Sequence, residues 1–580
     1  MVNTTEGDKK LQVTINDGQA LTLTGTGTDD NLKFLSGTEA MPNSYDALGK
    51  VTLKGNAAEL VINSADRKEI TFETSINGKN NKNGNLIINT PAVFTKSIGN
   101  QHSLNEININ ATTVTFNGAE IKADKVNLTT AESSFNINNK GVAVLTGDVD
   151  NISGQDGKGQ LIITGENSRI TGNIGATNSL QAISIGEGTT ILQGQIIKAK
   201  SVVFVADNSS LYLDKQGTIL TGNMCFDGYD AKLYVADDIL IKGNLTNYND
   251  EKVVGEINFQ GSGVVQGNIG QRNIEGEALK DINIQGGDTK IVELQGDVTT
   301  KNLSFVPANG HDAGIVQIGG DLIAENVIFA NGNAQGGILE FNGQNENGYT
   351  FSSKIENGDN ATLKVNTYEL TANDVTIGDI KTIDIKGNNT LIIDANLADV
   401  NLLDNGNKIN FEGEDSTLIL TNSSINDDMT ITLANTLDTG NNNLGQVVIN
   451  SVEAGKILTI ASADNITLGT EAHKLKKLIF IGAGSIDIYP DIFATNIKVG
   501  NAVTLADGRN ITGDVLGDAN SSIEFLGDGE INGKIDGLKM LKVGKGNVLL
   551  QADDYYVINE IQGTGTKMLT LPKNFNPDIA

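Results

Sequence analysis

Metal or general-base chemistry in this chain would have to start from three histidines, His102, His311 and His473. They lie far apart, so none completes the His-x-x-x-His spacing that turns two imidazoles toward one zinc ion. Each is expected at an ordinary surface or loop position. Cys225 is the single cysteine. Flanked by Met224 and Phe226, with no histidine near it in sequence, it is expected to pack as a small buried hydrophobe and not to act as an activated thiolate. Serine hydrolysis would want a Gly-x-Ser-x-Gly elbow, and the sequence contains none.

Carboxylates are plentiful but form no motif. Glycan cleavage needs clustered acids and usually an aromatic platform for the sugar ring. Asp237/Asp238 and Asp553/Asp554 fall where corner or surface residues are expected, and Trp is absent. Asp148 and Asp150 with Asp156, or Gly286 and Gly287 with Asp288, place oxygens in turns that a calcium ion could use. Neither a Gly-Gly-x-Gly-x-Asp ladder nor a twelve-residue loop closed by Glu accompanies them. The expectation is that these aspartates bond the backbone of their own turns. No catalytic, cofactor-binding or metal-ligating residue is assigned. A glycan-active parallel β-helix enzyme, lyase or hydrolase, stands as the alternative to a non-catalytic reading.

The elements that would position these groups announce themselves through composition. Of 580 residues 67 are glycine and 6 proline, against usual values of roughly 7% and 5%. Turns must therefore be made by Gly, Asn and Asp. With 42 basic and 71 acidic side chains the net charge is −29, which repels phosphate backbones and argues against nucleic acid as a partner. A lone cysteine leaves no intrachain disulfide, so burial and backbone hydrogen bonds must hold the fold. No apolar run approaches the roughly 18 residues of a membrane-spanning helix.

A short motif organises the chain: apolar, any residue, Gly, Asn or Asp, apolar. It or a looser form recurs around Gly147, Gly172, Gly194, Gly222, Gly243, Gly267, Gly296 and Gly320, roughly 25 residues apart on average, a repeat period of the solenoid kind. Val292 to Phe305 (VELQGDVTTKNLSF) matches Val316 to Phe329 (VQIGGDLIAENVIF) at a shift of 24. A second pattern, such as Leu104/Ile107/Ile109, Leu180/Ile183/Ile185 and Leu279/Ile282/Ile284, alternates at period two as half-buried strands do. Three short strands per repeat, with Gly or Asn/Asp corners, describe one triangular coil.

The fold expected is all-β, an elongated right-handed parallel β-helix (β-solenoid) of about 25 residues per coil. Roughly 23 coils at the ~4.8 Å strand spacing would extend on the order of 110 Å. Residues 1–50, including Met41 to Ala47, are expected as an N-terminal cap or irregular segment. Residues 51–550 are read as the solenoid, and 551–580, including Lys567 to Ala580, as a C-terminal cap or truncated end. Gln344 to Gly358 and Asn441 to Asn443 are expected to project as loops.

The stretch from Gly147 to Ala199 resembles the passenger repeats of the rickettsial surface-antigen autotransporters, of the outer membrane protein A and B type. The words that carry the likeness are TGNIGATNSL from Thr171, the Ile-Gly-x-Gly-Thr run ending at Thr189, and QGNIG from Gln266. The resemblance implies a passenger stalk at the bacterial cell surface or outer membrane that adheres to host cells or contributes to an outer protein layer. Its partners would be a host-cell surface protein or neighbouring copies of itself, with a C-terminal autotransporter barrel in a full-length form. MVNTTEGDKK lacks a signal-peptide core, and no barrel-like strands close the sequence, so a fragment or a degraded reading frame is expected. Far-UV circular dichroism should be dominated by strand, and a helical spectrum would refute the solenoid.

Overall fold

Alternating Ile, Val and Leu turn inward from short strands to give, in a computed structural model of the protein, a parallel β-solenoid of about 22 turns. The described residues are 2–3, 11–25, 32–34, 48–64, 69–249, 252–270, 278–287, 290–307, 312–331, 336–373, 377–395, 399–424, 427–440, 444–551, 556–563 and 568–571, and no α-helix occurs among them. The chain divides into two compact units, Met1–Asn283 and Ile284–Ala580.

In the first unit each coil has three sides. One column stacks Ile70–Phe72, Ala92–Phe94, Val114–Phe116, Ser134–Ile137 and Gln160–Ile163 in parallel. A second runs through Ile98, Ile121, Leu145, Ile170, Leu192 and Leu213. The third follows Leu86, Ile107, Val126, Val149, Ile174, Ile197, Leu220 and Ile241. All these inward side chains are buried. Identical residues then meet across coils, as where the Phe94 and Phe116 rings stack 4.8 Å apart.

The second unit is built the same way. Ile291–Leu294 pairs with Ile315–Ile318 in the register that the shift of 24 predicts, Val292 on Val316 and Leu294 on Ile318. Further on, Leu444–Ser451, Leu475–Gly482, Asp491–Val499, Arg509–Gly517 and Ile535–Val543 form one parallel ladder.

Gln344 to Gly358 is not one projecting loop. Tyr349–Glu356 is a strand paired with Leu322–Ile328 and Glu369–Asn373, because Phe351 and Ile355 are spaced to enter the core. Strands also occur in the segments expected as caps: Leu11–Asn16 pairs in parallel with Leu48–Lys54, and Tyr556–Gly563 with Ile535–Val543. Val2–Asn3 runs antiparallel to the start of Leu11–Asn16. Met41 to Ala47, Asn441 to Asn443 and most of Lys567 to Ala580 lie outside the described residues.

The glycines of the motif are needed where one coil rests on the next. A Cβ on Gly172 would sit 2.1 Å from the carbonyl oxygen of Gly147, and one on Gly194 would sit 2.3 Å from that of Gly172. Gly147 itself has φ 135°, which L side chains rarely adopt. After Gly194 the glycine stack changes corner. Gly147 lies between the Leu145 and Val149 columns, whereas Gly222 lies between Leu220 and Met224, with Gly243 resting on Gly222 and Gly267 on Gly243. The wide interval from Gly194 to Gly222 marks that step.

Gly172→Ala should lower stability by about 1–3 kcal/mol through backbone overpacking. Ile183→Asp, placing a charge at a fully buried site between Leu161 and Val202, should cost several kcal/mol. Urea denaturation checks both, and a neutral Ile183→Asp would mean that the inward register is wrong.

Candidate functional site

An Asn or Asp that follows a motif glycine can cap the coil after it. Asp148 Oδ1 accepts the Asn173 N–H at 2.7 Å, and Asn173 Oδ1 accepts the N–H groups of Gln195 and Ile196 at 3.0 Å. The second corner repeats this from Asn223 to Asn244 and from Asn244 to Asn268. In the second unit Asp297 accepts the Asp321 N–H, and Asp321 that of Thr350. Chain corners leave N–H groups without a strand partner, and a side-chain oxygen one coil below supplies the acceptor.

The described candidate calcium aspartates are engaged in the same kind of bond. Asp150 accepts the N–H groups of Asn151 and Thr177, and Asp156 accepts both the N–H and the hydroxyl of Ser179. The aspartates therefore bond chiefly to the neighbouring coil and not to their own turns, contrary to the sequence expectation. Asp237 likewise accepts the Ser262 N–H, and Asp238 bonds the Gln216 amide. Gly286 and Gly287 are placed, but Asp288, Asp553 and Asp554 lie outside the described residues. Among the described residues no three of His, Cys, Asp and Glu gather as a metal site would require.

His102 is exposed in a turn, and His473 Nδ1 lies 3.0 Å from an Asp438 carboxylate oxygen on the surface. His311 lies outside the described residues. Cys225 does not enter the core: its neighbours Met224 and Phe226 do, so alternation turns the thiol to the outer face between Val203 and Thr246. Partial burial there raises its pKa, the direction opposite to activation. Asp487 is also raised, first by desolvation in a column between Thr459 and Thr504.

What the sequence did not reveal is a tyrosine cluster. Four of the ten tyrosines fall between residues 212 and 248. Tyr212 and Tyr234 occupy one outward column and stack with ring centres 4.2 Å apart. At the adjoining corner Tyr229 is 47% and Tyr248 69% exposed, and the Lys252 ammonium sits 4.3 Å from the centre of the Tyr229 ring. Val205 and Tyr248 hold equivalent positions two coils apart, with Asp227 between them, because each donates its N–H to the corresponding carbonyl below. Exposed Val205 and Val253 complete an apolar and aromatic patch in a chain of net charge −29. Tyrosines repeating at coil length, 22 residues from Tyr212 to Tyr234, are the signal that would have found it.

The chain is similar to two curated proteins named Outer membrane protein A. With that of Rickettsia rickettsii it is 26% identical over 852 residues, covering 99% of this chain and 37% of the relative. With that of Rickettsia conorii (strain ATCC VR-613 / Malish 7) it is 39% identical over 210 residues, covering 36% of this chain and 10% of the relative. The chain thus spans well under half the length of these relatives. No protein-family model matches it, and no solved structure does. The likeness to rickettsial surface antigens therefore extends along nearly the whole chain, and the relatives' names agree with a cell-surface or outer-membrane location.

Hydrogen bonds from Ser179 hold Asp156 below its usual value of 3.8. A carboxylate depressed in the folded state supports stability above the unfolded value and loses that support as pH falls through the folded one. Asp156→Asn should therefore be less stable than the parent at neutral pH and converge with it below about pH 4. Urea midpoints between pH 2 and 7 test this; curves separated by a constant offset would refute it.

Proposed function

We propose that this relative of the rickettsial surface antigens is a non-catalytic passenger stalk of an autotransporter, working at the bacterial surface in adhesion to host cells, in an outer protein layer, or in both. The observation that carries this reading is the exposed corner of Tyr229, Tyr248, Val205 and Val253 with Lys252 beside it. Tyrosine offers a large contact area with a hydroxyl at its tip and loses little entropy when fixed, so clustered exposed tyrosines suit protein recognition. The stack holds them on a rigid ladder, which keeps the cost of ordering a contact low.

A host-cell surface protein is the partner proposed for this corner, with neighbouring copies of the chain as the partner in a surface layer. In a full-length form a C-terminal barrel would anchor the passenger. Residues 51–550 would form its repetitive body, with 1–50 and 551–580 closing or continuing it. The glycan-active alternative calls for three converging carboxylates, and what supports the stalk instead is that Asp148, Asp150, Asp156, Asp237, Asp297 and Asp321 each accept a backbone N–H of a neighbouring coil.

Purified chain should bind host cells above a denatured control, and Tyr229→Ala/Tyr248→Ala should weaken binding by about tenfold or more, the scale of losing an aromatic hot spot. Exposed positions leave folding intact, which the circular dichroism melt verifies. Binding no greater than the denatured control would remove adhesion and leave a scaffold role. Undiminished binding by the variant would remove the tyrosine corner.

A further inference from the structure

In the second unit a groove of about 670 Å³ is lined by Lys476, Lys477, Lys498 and Lys534, together with Asp514, Asp536 and the exposed Leu516. Among the described lining residues, four cations against two anions is a local reversal in a chain of net charge −29. The strand ladder makes the cluster. Lys477 pairs in register with Asn496, Asn496 with Asp514, and the Lys534 N–H bonds the Asp514 carboxylate at 3.0 Å. Lys498 stands two residues along from Asn496, level with Leu516. From Lys477 to Lys534 is three coil steps, so the charges spread over about 14 Å at ~4.8 Å per step.

Only Lys476 is neutralised, by Glu414 at 3.3 Å and Asp415 at 2.9 Å. Lys477, Lys498 and Lys534 make no ion pair among the described residues. Three lysines without an ion pair among the described residues border one groove, and none of them is buried in the core.

We propose that this groove binds a sulfated polysaccharide segment. Lysine is a point charge on a flexible stem and donates to sulfate or carboxylate oxygens in varied orientations, without the planar fork that would select one geometry. Leu516, 52% exposed, offers an apolar floor to the C–H face of a sugar. Among the described residues no aromatic side chain lines the groove, so the stacking platforms of single-strand nucleic-acid binders are missing there. The inference is independent of the adhesive reading, because it is measured with a free saccharide and no cell.

The test titrates the full 580-residue chain calorimetrically with a size-defined heparin oligosaccharide, its desulfated counterpart and a single-stranded DNA oligomer. The sulfated oligosaccharide should bind, and weaken steadily with added salt as ion-pairing ligands do. Lys477→Glu/Lys498→Glu should lose about tenfold or more, while Lys54→Glu/Lys140→Glu, an equal charge change on exposed lysines of the first unit, should leave affinity within about twofold. Unchanged melting confirms folding of both variants. Failure of the sulfated oligosaccharide to bind, equal losses in the two variants, equal affinity for the desulfated form, or equal affinity for the DNA oligomer would each overturn the proposal.

Discussion

Stacking coils at the ~4.8 Å spacing of paired strands is easy along a strand and hard at a corner. A strand supplies its own ladder of N–H and C=O partners, but a corner turns the backbone away from that ladder and still leaves its neighbours a strand spacing apart. The Gly-Asn/Asp pair answers both difficulties. Glycine removes the Cβ that would strike the carbonyl beneath it, as Gly172 does over Gly147. The following Asn or Asp supplies the missing acceptor, as Asp148 does for Asn173. Burial of Ile, Val and Leu then follows from alternation, since the corners fix where each strand begins and which residues point inward.

The same device shapes the charge of the molecule. An aspartate at a cap can be replaced by asparagine without losing the acceptor, and both occur in the ladders: Asp148 below Asn173, Asn223 below Asn244, Asp297 below Asp321. Aspartates used in this way contribute to the acidic excess while serving the backbone, so acid content alone says little about catalysis here. Repeat stacking also tolerates added coils, because each contacts only its neighbours.

Legibility in the sequence followed period. Gly147, Gly172 and Gly194 gave the coil, and Val292 with Val316 gave a register that the strand pairing matches. Where the pattern was misread, a local signal had outweighed an alternating one. Gln344 to Gly358 looked like a loop because QNENG opens it, yet Phe351 and Ile355 enter the core. Cys225 looked buried because its neighbours are, yet period two turns it outward. The surfaces proposed for binding were hidden for a different reason. Tyr229 and Tyr248, or Lys477, Lys498 and Lys534, are separated by about one coil or more in sequence and become neighbours only through stacking.

That separation bears on how such a surface can change. In a compact fold, residues of one site come from elements fixed by a shared core, and altering one disturbs the others. In a solenoid, outward positions at one column are set only by the ladder beneath them, and the inward positions carry stability. Substituting Tyr248 or Lys498 therefore changes the outer surface with little effect on the core, whereas Ile183 or Gly172 admits almost no change. The fold separates the residues that hold it together from those that can meet a partner, and a chain built this way can vary its contacts coil by coil while keeping one architecture.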